Sequence, residues 1–284
     1  MSRSDRTEAA LLAAPGVLVL GAVFVLPIAA VLAYGFFRDG VPSLAALDWT
    51  SWSRLFADDY YLGLATRTLR LGLVVTLAAL LIGYPLAIAI DAAPRRWRTW
   101  LVLALLLPLM TSVVVRSFGW LVILGRNGPI VQWLRELDLV DRRFQLAYTE
   151  TGIAIAMVQV LLPYMVLTLL GVIGQIDRRL LEAARVMGAG WWTALARVTL
   201  PLSWPGVVGG SVLVFAVTVG SFITPVLIGG LKLPVLASGI YASAISENDW
   251  PMAAVQSVAL FAVVLIVLLP YALVTRPARG GVAR

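Results

Sequence analysis

The chain lacks histidine and cysteine altogether, and its 22 basic residues include a single lysine, Lys232. Those absences exclude a His- or Cys-ligated zinc site, a Ser-His-Asp or Cys-His nucleophile, a thiol redox centre and a disulfide framework. A nucleotide-binding P-loop is excluded too, because it needs Lys before Ser or Thr, and Lys232 precedes Leu233. Charge is also scarce: charged residues are 13% of the 284 positions, against about 25% in soluble domains. Apolar residues fill the space, at 61%. The expected protein is not an enzyme and holds neither metal nor cofactor.

The charges that remain are spaced so as to leave long gaps. Between Glu8 and Arg38 lie 29 uncharged residues, between Arg70 and Asp91 20, between Glu150 and Asp177 26, between Arg197 and Lys232 34, and between Asp249 and Arg276 26. Arg98 to Arg116 encloses 17 more, with nine following up to Arg126. A helix needs about 20 apolar residues to cross the hydrocarbon core. Six spans are therefore expected, near 10–36, 69–90, 100–124, 151–174, 203–229 and 251–274. The fold class is an all-α integral membrane protein, a single transmembrane domain over 1–284. The first uncharged run is too long for the h-region of a signal peptide and reads as an uncleaved anchor.

Basic residues orient the spans. With the N-terminus inside, the inner segments carry 12 basic residues against five acids, and the outer ones nine against ten. Inner markers include Arg3 and Arg6, Arg95, Arg96 and Arg98, Arg178, Arg179 and Arg185, and Arg276, Arg279 and Arg284. Both termini are then expected in the cytoplasm, by the positive-inside rule. The basic pI reflects this rule and the anionic inner leaflet rather than nucleic acid.

One inner loop has a pattern of its own. In Gln175–Leu202, Ile176, Leu180, Ala184 and Met187 recur at helical spacing, and Arg178, Glu182 and Arg185 recur on another face. Ala184 and Gly188 leave one surface nearly bare. Gly188 and Gly190 are expected to break the helix, and a second short helix from Trp191 is expected to end at Leu200-Pro201. The pattern fits an amphipathic helix lying on the inner membrane surface or a knob that docks into a partner.

The residues also resemble a known family. Glu182-Ala183-Ala184, three residues, Gly188, nine residues, Val198, one residue and Leu200-Pro201 resemble the EAA motif of permease subunits of binding-protein-dependent ABC importers, with Val198 in place of the usual Ile. Leu107-Pro108, Arg116-Ser117-Phe118-Gly119-Trp120, Leu162-Pro163-Tyr164, Phe222-Ile223-Thr224-Pro225, Gly229-Gly230 and Asp249-Trp250-Pro251 extend the likeness to spermidine/putrescine-type permeases, from about residue 60 onward. The resemblance implies a type I ABC importer permease of six spans in a bacterial inner membrane. It also implies a coupling helix seated in the groove of a cytoplasmic ATPase, two ATPase subunits that hold ATP and Mg, a second permease that is a homologue, and an extracytoplasmic solute-binding protein. Glu182 would touch the rim of the ATPase groove, while Ala183, Ala184 and Gly188 would let the helix seat deeply; Leu200 and Pro201 close the motif. The cargo implied first is a polyamine such as spermidine or putrescine, and the same machinery importing another small organic solute or iron is the alternative.

Polar groups inside spans mark the expected path. Arg116 is the one charge expected inside a span rather than at its end, placed either to snorkel to the headgroups or to serve a gate or the cavity mouth. The fifth span is interrupted at Gly220-Ser221-Phe222-Ile223-Thr224-Pro225, and broken helices at membrane depth often line a cavity. Ser221, Phe222, Thr224 and Pro225 are candidates there, with Gln159 and Tyr164 in the fourth span; Gly171 and Gly174 are expected to serve close helix packing. Asp58, Asp59, Tyr60, Tyr61, Glu247, Asp249 and Trp250 form either an outer entrance or solvated loops. An ion-coupled secondary transporter is the reading from another class; it usually needs acids within the spans, which hold none.

Overall fold

The computed structural model describes residues 3–37 and 47–274, with the side chains of residues 3–13, 178 and 269–274 left aside. Apart from one isolated bridge between Phe37 and Leu47, every regular element among them is helical. The chain begins with α1 (Arg3–Phe36), α2 (Thr50–Ala57) and α3 (Asp59–Ala92), then α4 (Arg95–Leu106), a 3-10 turn at Leu107–Met110, and α5 (Val113–Leu124). α6 (Pro129–Glu136) and α7 (Glu150–Ile173) precede α8 (Arg178–Val186) and α9 (Trp191–Ala194). A π-helical turn, Leu195–Thr199, joins α9 to α10 (Leu200–Val219), followed by α11 (Ile223–Gly229), α12 (Leu236–Tyr241), a second π turn at Ala242–Ser246, and α13 (Trp250–Val274). The inner markers Arg276, Arg279 and Arg284 lie outside the described residues, as do the side chains of Arg3, Arg6 and Arg178.

The all-helical class holds, and among the described residues the candidate spans number five, or up to seven if each of two bent helix pairs is one span. Five helices are long and apolar enough to cross a membrane: Ala14–Phe36, Asp59–Ala92, Glu150–Ile173, Trp191–Val219 and Trp250–Leu268. The expected third span, 100–124, is a bent pair instead, turning by 97° between Arg95–Met110 and Val113–Glu136. Pro108 denies that turn an N–H, and Thr111 donates its hydroxyl to the Pro108 carbonyl at 2.7 Å. Thr111 is consequently extended, at ψ 149°, and Ser112 starts α5 anew. The expected fifth span also ends early, at Val219, and residues 223–232 pair with 236–246 at an angle of 82°. The hydroxyls of Thr218 and Ser221 donate to the Val214 and Val217 carbonyls at 2.7 and 2.6 Å, back-bonding that competes with helix continuation. Gly220 has an ordinary φ of −81°, and Pro225 sits in the first turn of α11, where its missing N–H costs nothing. Neither residue makes the break.

The described residues fall into two compact units, one of those up to Leu62 with Gly239–Phe261, the other of Gly63–Ser238 with those from Ala262 on. In the first, the end of α1 is held by aromatics. Phe36 stacks on Trp52 and meets Trp49 edge-on, each at 5.3 Å between ring centroids, while Trp52 Nε1 donates to the Gly35 carbonyl at 2.9 Å. Asp249 caps α13 by accepting from the Met252 N–H at 3.0 Å and pairs with Arg54 at 3.1 Å.

The core of the second unit is built where α3, α7 and α10 meet. Between helices in lipid there is little hydrophobic gain, so close backbone approach and dispersion carry the packing. Two glycines supply that approach from opposite sides of one residue. A Cβ at Gly83 would lie 2.9 Å from Met165 Cγ, and one at Gly210 only 2.7 Å from its Sδ. Met165 is fully buried between them. The expected packing glycine Gly171 instead faces open space, and Gly174 lies beside Arg98 and Asp91.

Candidate functional site

The inner loop after α7 is a short helix with defined ends. The Asp177 carboxylate accepts from the Arg179 N–H at 2.9 Å, capping α8. α8 stops at Gly188, whose φ of +85° suits glycine and lets its N–H reach the Arg185 carbonyl at 2.9 Å while Ala189 N–H reaches Ala184 O at 3.0 Å. Glu182, Ala183 and Arg185 are exposed, and Val186 and Met187 are 89% and 82% exposed at the tip. Ala184 departs from expectation. It is buried against the chain's own interior, so the small residues turned outward are Ala183 and Gly188. Its inward neighbour is Leu181, one turn away, rather than Leu180, which is exposed.

The second half of the loop is also corrected. Leu200-Pro201 does not end the helix that starts at Trp191; one 29-residue helix runs from Trp191 to Val219. Pro201 offers no N–H and would crowd the carbonyl four residues back. The π turn at Leu195–Thr199 absorbs this, with Leu200 N–H reaching back five residues to the Leu195 carbonyl. The loop is thus continuous with a helix long and apolar enough to cross a membrane. Behind α8 lies a cavity of about 360 Å³ lined by Ile88, Asp91, Leu181, Glu182, Arg185 and Trp191, so the helix does not rest on a filled core. Asp91 pairs with Arg98 at 3.1 Å beside it.

A groove of about 580 Å³ runs along α3 and α7. Arg70, Glu150 and Thr151 lie at one end, aliphatic walls such as Val74, Ala78 and Ile155 follow, and Trp120 and Gln159 are deeper in. Trp120 Nε1 donates to Gln159 Oε1 at 3.1 Å. Glu150, first residue of α7 and well placed for its dipole, is clamped by two arginines of α3. Arg67 Nε lies 3.3 Å from it and Arg70 Nη2 also bonds it, while Arg67 Nη1 donates to the Pro234 carbonyl at 2.8 Å. Thr68 on the same turn is buried and accepts from the Leu236 N–H at 2.8 Å. This clamp went unremarked in the sequence, although Arg67 and Arg70, one turn apart at the start of an apolar run, were its visible signal.

The expected path residues separate into groups. Thr224 is buried, with its hydroxyl 3.2 Å from that of Ser117 across α11 and α5, and Pro225 is buried beside it. Ser221 and Phe222 are half-buried at the break, the Ser221 hydroxyl being committed to its own helix. Gln159 lines the groove. Tyr164, five residues on, is 38% exposed on another face of α7 and does not line it. Arg116 Nη2 reaches the Thr111 carbonyl at 3.4 Å, so the side chain points back along α5. Of the proposed entrance, Tyr61 is buried among the charges of Arg54, Asp58, Glu247 and Asp249, while Tyr60 is exposed.

Residues 80–279 match the family model described as the binding-protein-dependent transport system inner membrane component. The chain is 32% identical over 214 residues to the spermidine/putrescine transport system permease protein PotB of Escherichia coli (strain K12), covering 75% of this chain and 78% of that protein. PotB of Haemophilus influenzae is 32% identical over 198 residues, 70% of this chain and 69% of the relative. The molybdenum transport system permease protein ModB of Azotobacter vinelandii is 34% identical over 163 residues, 57% of this chain and 70% of the relative. Among solved structures, a bacterial ABC transporter involved in the import of the acidic polysaccharide alginate shares the fold, with a TM-score of 0.74 at 18% identity over 98% of this chain and 99% of that one. The bacterial alginate ABC transporter in complex with alginate pentasaccharide-bound periplasmic protein gives 0.77 at 18% identity, over 96% and 95%. The Glu182–Pro201 motif falls within the matched residues, and the chain belongs to the inner membrane component family of binding-protein-dependent transport systems, as a permease subunit of an ABC importer without catalytic activity of its own.

Proposed function

We propose that this permease forms one half of the membrane path for a small organic solute, a polyamine of the spermidine or putrescine kind first among them. An extracytoplasmic solute-binding protein delivers the solute, and a pair of cytoplasmic ATPases holding ATP and Mg drives it through. α8 is the coupling helix, with Glu182, Ala183 and Gly188 on its outward side, and both termini lie in the cytoplasm. The observation that carries this reading is mechanical. A capped short helix with an exposed apolar tip, Val186 and Met187, is joined through α9 and the π turn to the whole length of α10. Closure of the ATPases would push α8 into the space behind it and swing α10 as a lever, a rigid-body route to alternating access.

The groove beside Gln159 and Trp120 supplies the path's polar contacts, and the Ser221–Pro225 break supplies the irregular backbone expected beside a cavity. Exposed tryptophans support the positions of the span ends. Trp97, Trp100, Trp191, Trp192 and Trp204 belong to the segments assigned to the inner side, and Trp49 and Trp250 to the outer, the belts that interfaces favour. Affinity purification of the tagged permease from its native membrane tests the assembly. The reading expects an ATPase and a second permease in the eluate, and binding of the solute-binding protein when solute is added. A permease that purifies without any ATPase contradicts it.

A further inference from the structure

The Arg116 side chain is half-buried, and two of its three guanidinium nitrogens are shielded without a partner. These two, Nε and Nη1, meet no acceptor among the described residues, while Nη2 has only the Thr111 carbonyl at 3.4 Å, the long limit of a hydrogen bond. A cation shielded in this way is unfavourable. Its depth rules out an easy escape to water. Trp120, one turn further along α5, bonds Gln159, which stands nine residues into α7, about 14 Å from that helix's start. The outer end of α5 is fixed by the Leu124 carbonyl, which accepts from Leu146 and Ala147 just before α7 begins. The Arg116 side chain points the other way, toward Thr111, so it is not snorkelling outward.

Among the described residues, no acid of this chain pairs with it. The uncharged stretches contain no Asp or Glu, and Glu150, nearest in chain position among the outer acids of α7, is already held by Arg67 and Arg70. A second copy of the chain would bring a second Arg116 and no carboxylate. The face of α5 around it is nevertheless open: Val115, Phe118 and Val122 are 68%, 51% and 71% exposed. Resting on the reading of this chain as half of a permease pair, we infer that Arg116 is an inter-permease site. The second permease is a different chain, and it presents a membrane-embedded Asp or Glu that pairs with the Arg116 guanidinium. Rotation of the long side chain from Thr111 toward the open face brings Nε and Nη1 to that carboxylate as a bidentate pair. The pair also leaves no net positive charge on the route of a cationic solute.

The test uses the intact complex of both permeases and the ATPase in proteoliposomes, with spermidine as the probe solute. Arg116→Gln should lower uptake by about thirtyfold or more, the scale for removing one partner of a buried charged pair. Arg116→Glu should be inactive yet regain uptake when one in-span acid of the second permease is changed to Arg. Wild-type uptake by Arg116→Gln, a second permease identical to the first or lacking any in-span acid, or failure of every such reversal to rescue would each overturn the inference. If uptake falls and no reversal rescues, a solute or lipid anion is the partner instead. Co-purification of the ATPase with each variant reads the underlying permease assignment separately, since that assignment survives a silent Arg116→Gln.

Discussion

Gly188 separates two effects that a single substitution usually confounds. Its φ of +85° lies in the left-handed region, and a Cβ built there meets nothing within 4 Å in this chain. Gly188→Ala therefore introduces no clash and only backbone strain, about 1–2 kcal/mol for an L-residue in that region. Gly188→Trp carries the same strain and adds an indole to space that is empty in the permease alone. Any difference between the two variants must come from what occupies that space in the assembly. If an ATPase groove closes over Ala183 and Gly188, the indole cannot be accommodated. A loss above about 2.7 kcal/mol, a hundredfold in affinity, is expected beyond that of the alanine variant. The assay is binding of purified ATPase to each permease variant in nanodiscs, with membrane insertion checked by detergent-extracted yield. Equal ATPase affinity for Gly188→Ala and Gly188→Trp, both well inserted, would refute the docking of this face.

Two further perturbations probe the frame. Glu150→Gln removes the negative charge that Arg67 and Arg70 share and one of the two oxygens that accept from them, while Arg67, one-quarter exposed, keeps the Pro234 carbonyl. Detergent-solubilised protein should lose about 1–2 kcal/mol in urea or thermal unfolding, below the 3–5 kcal/mol of a fully buried pair because both groups are partly solvated; an unchanged midpoint would show the clamp to be idle. Gly83→Val should overpack Met165, costing about 1–3 kcal/mol, and Met165→Ala in the same chain should recover part of it because the clash is with that side chain. Strictly additive losses in the double variant would place the clash elsewhere.

The parts of this fold that local chemistry controls were legible in the sequence. Uncharged runs marked the five helices long and apolar enough to cross a membrane, because charge at that depth is expensive, and the Glu182–Pro201 spacing marked the capped inner helix α8. The failures came where tertiary context decides. Leu200-Pro201 looks like a stop signal, yet a π turn carries the helix through it. Pro225 looks like the cause of a break, yet it sits comfortably in the first turn of the next helix, after Val219 has already ended α10. Ala184 and Met187 share a helical stripe in the sequence, but α8 ends at Val186, so Ala184 is buried while Met187, its C-cap, is exposed. The bend at Thr111 and the side chain of Arg116 pointing toward it are invisible to periodicity, since Val113-Val114-Val115 would suit an unbroken span equally well. Gly83 and Gly210 resemble Gly171 in sequence, and only the neighbouring helix tells packing glycines from open ones.

The account rests on a lever in this chain moved by hydrolysis in another. The most direct measurement is solute uptake into proteoliposomes that hold the permease pair, the solute-binding protein and either active or hydrolysis-dead ATPase, with ATP enclosed. Uptake should be present with the active ATPase, absent with the dead one, and absent again when Gly188→Trp uncouples an active one. Uptake that persists with the dead ATPase would contradict the coupling-helix mechanism and favour an ion-driven carrier.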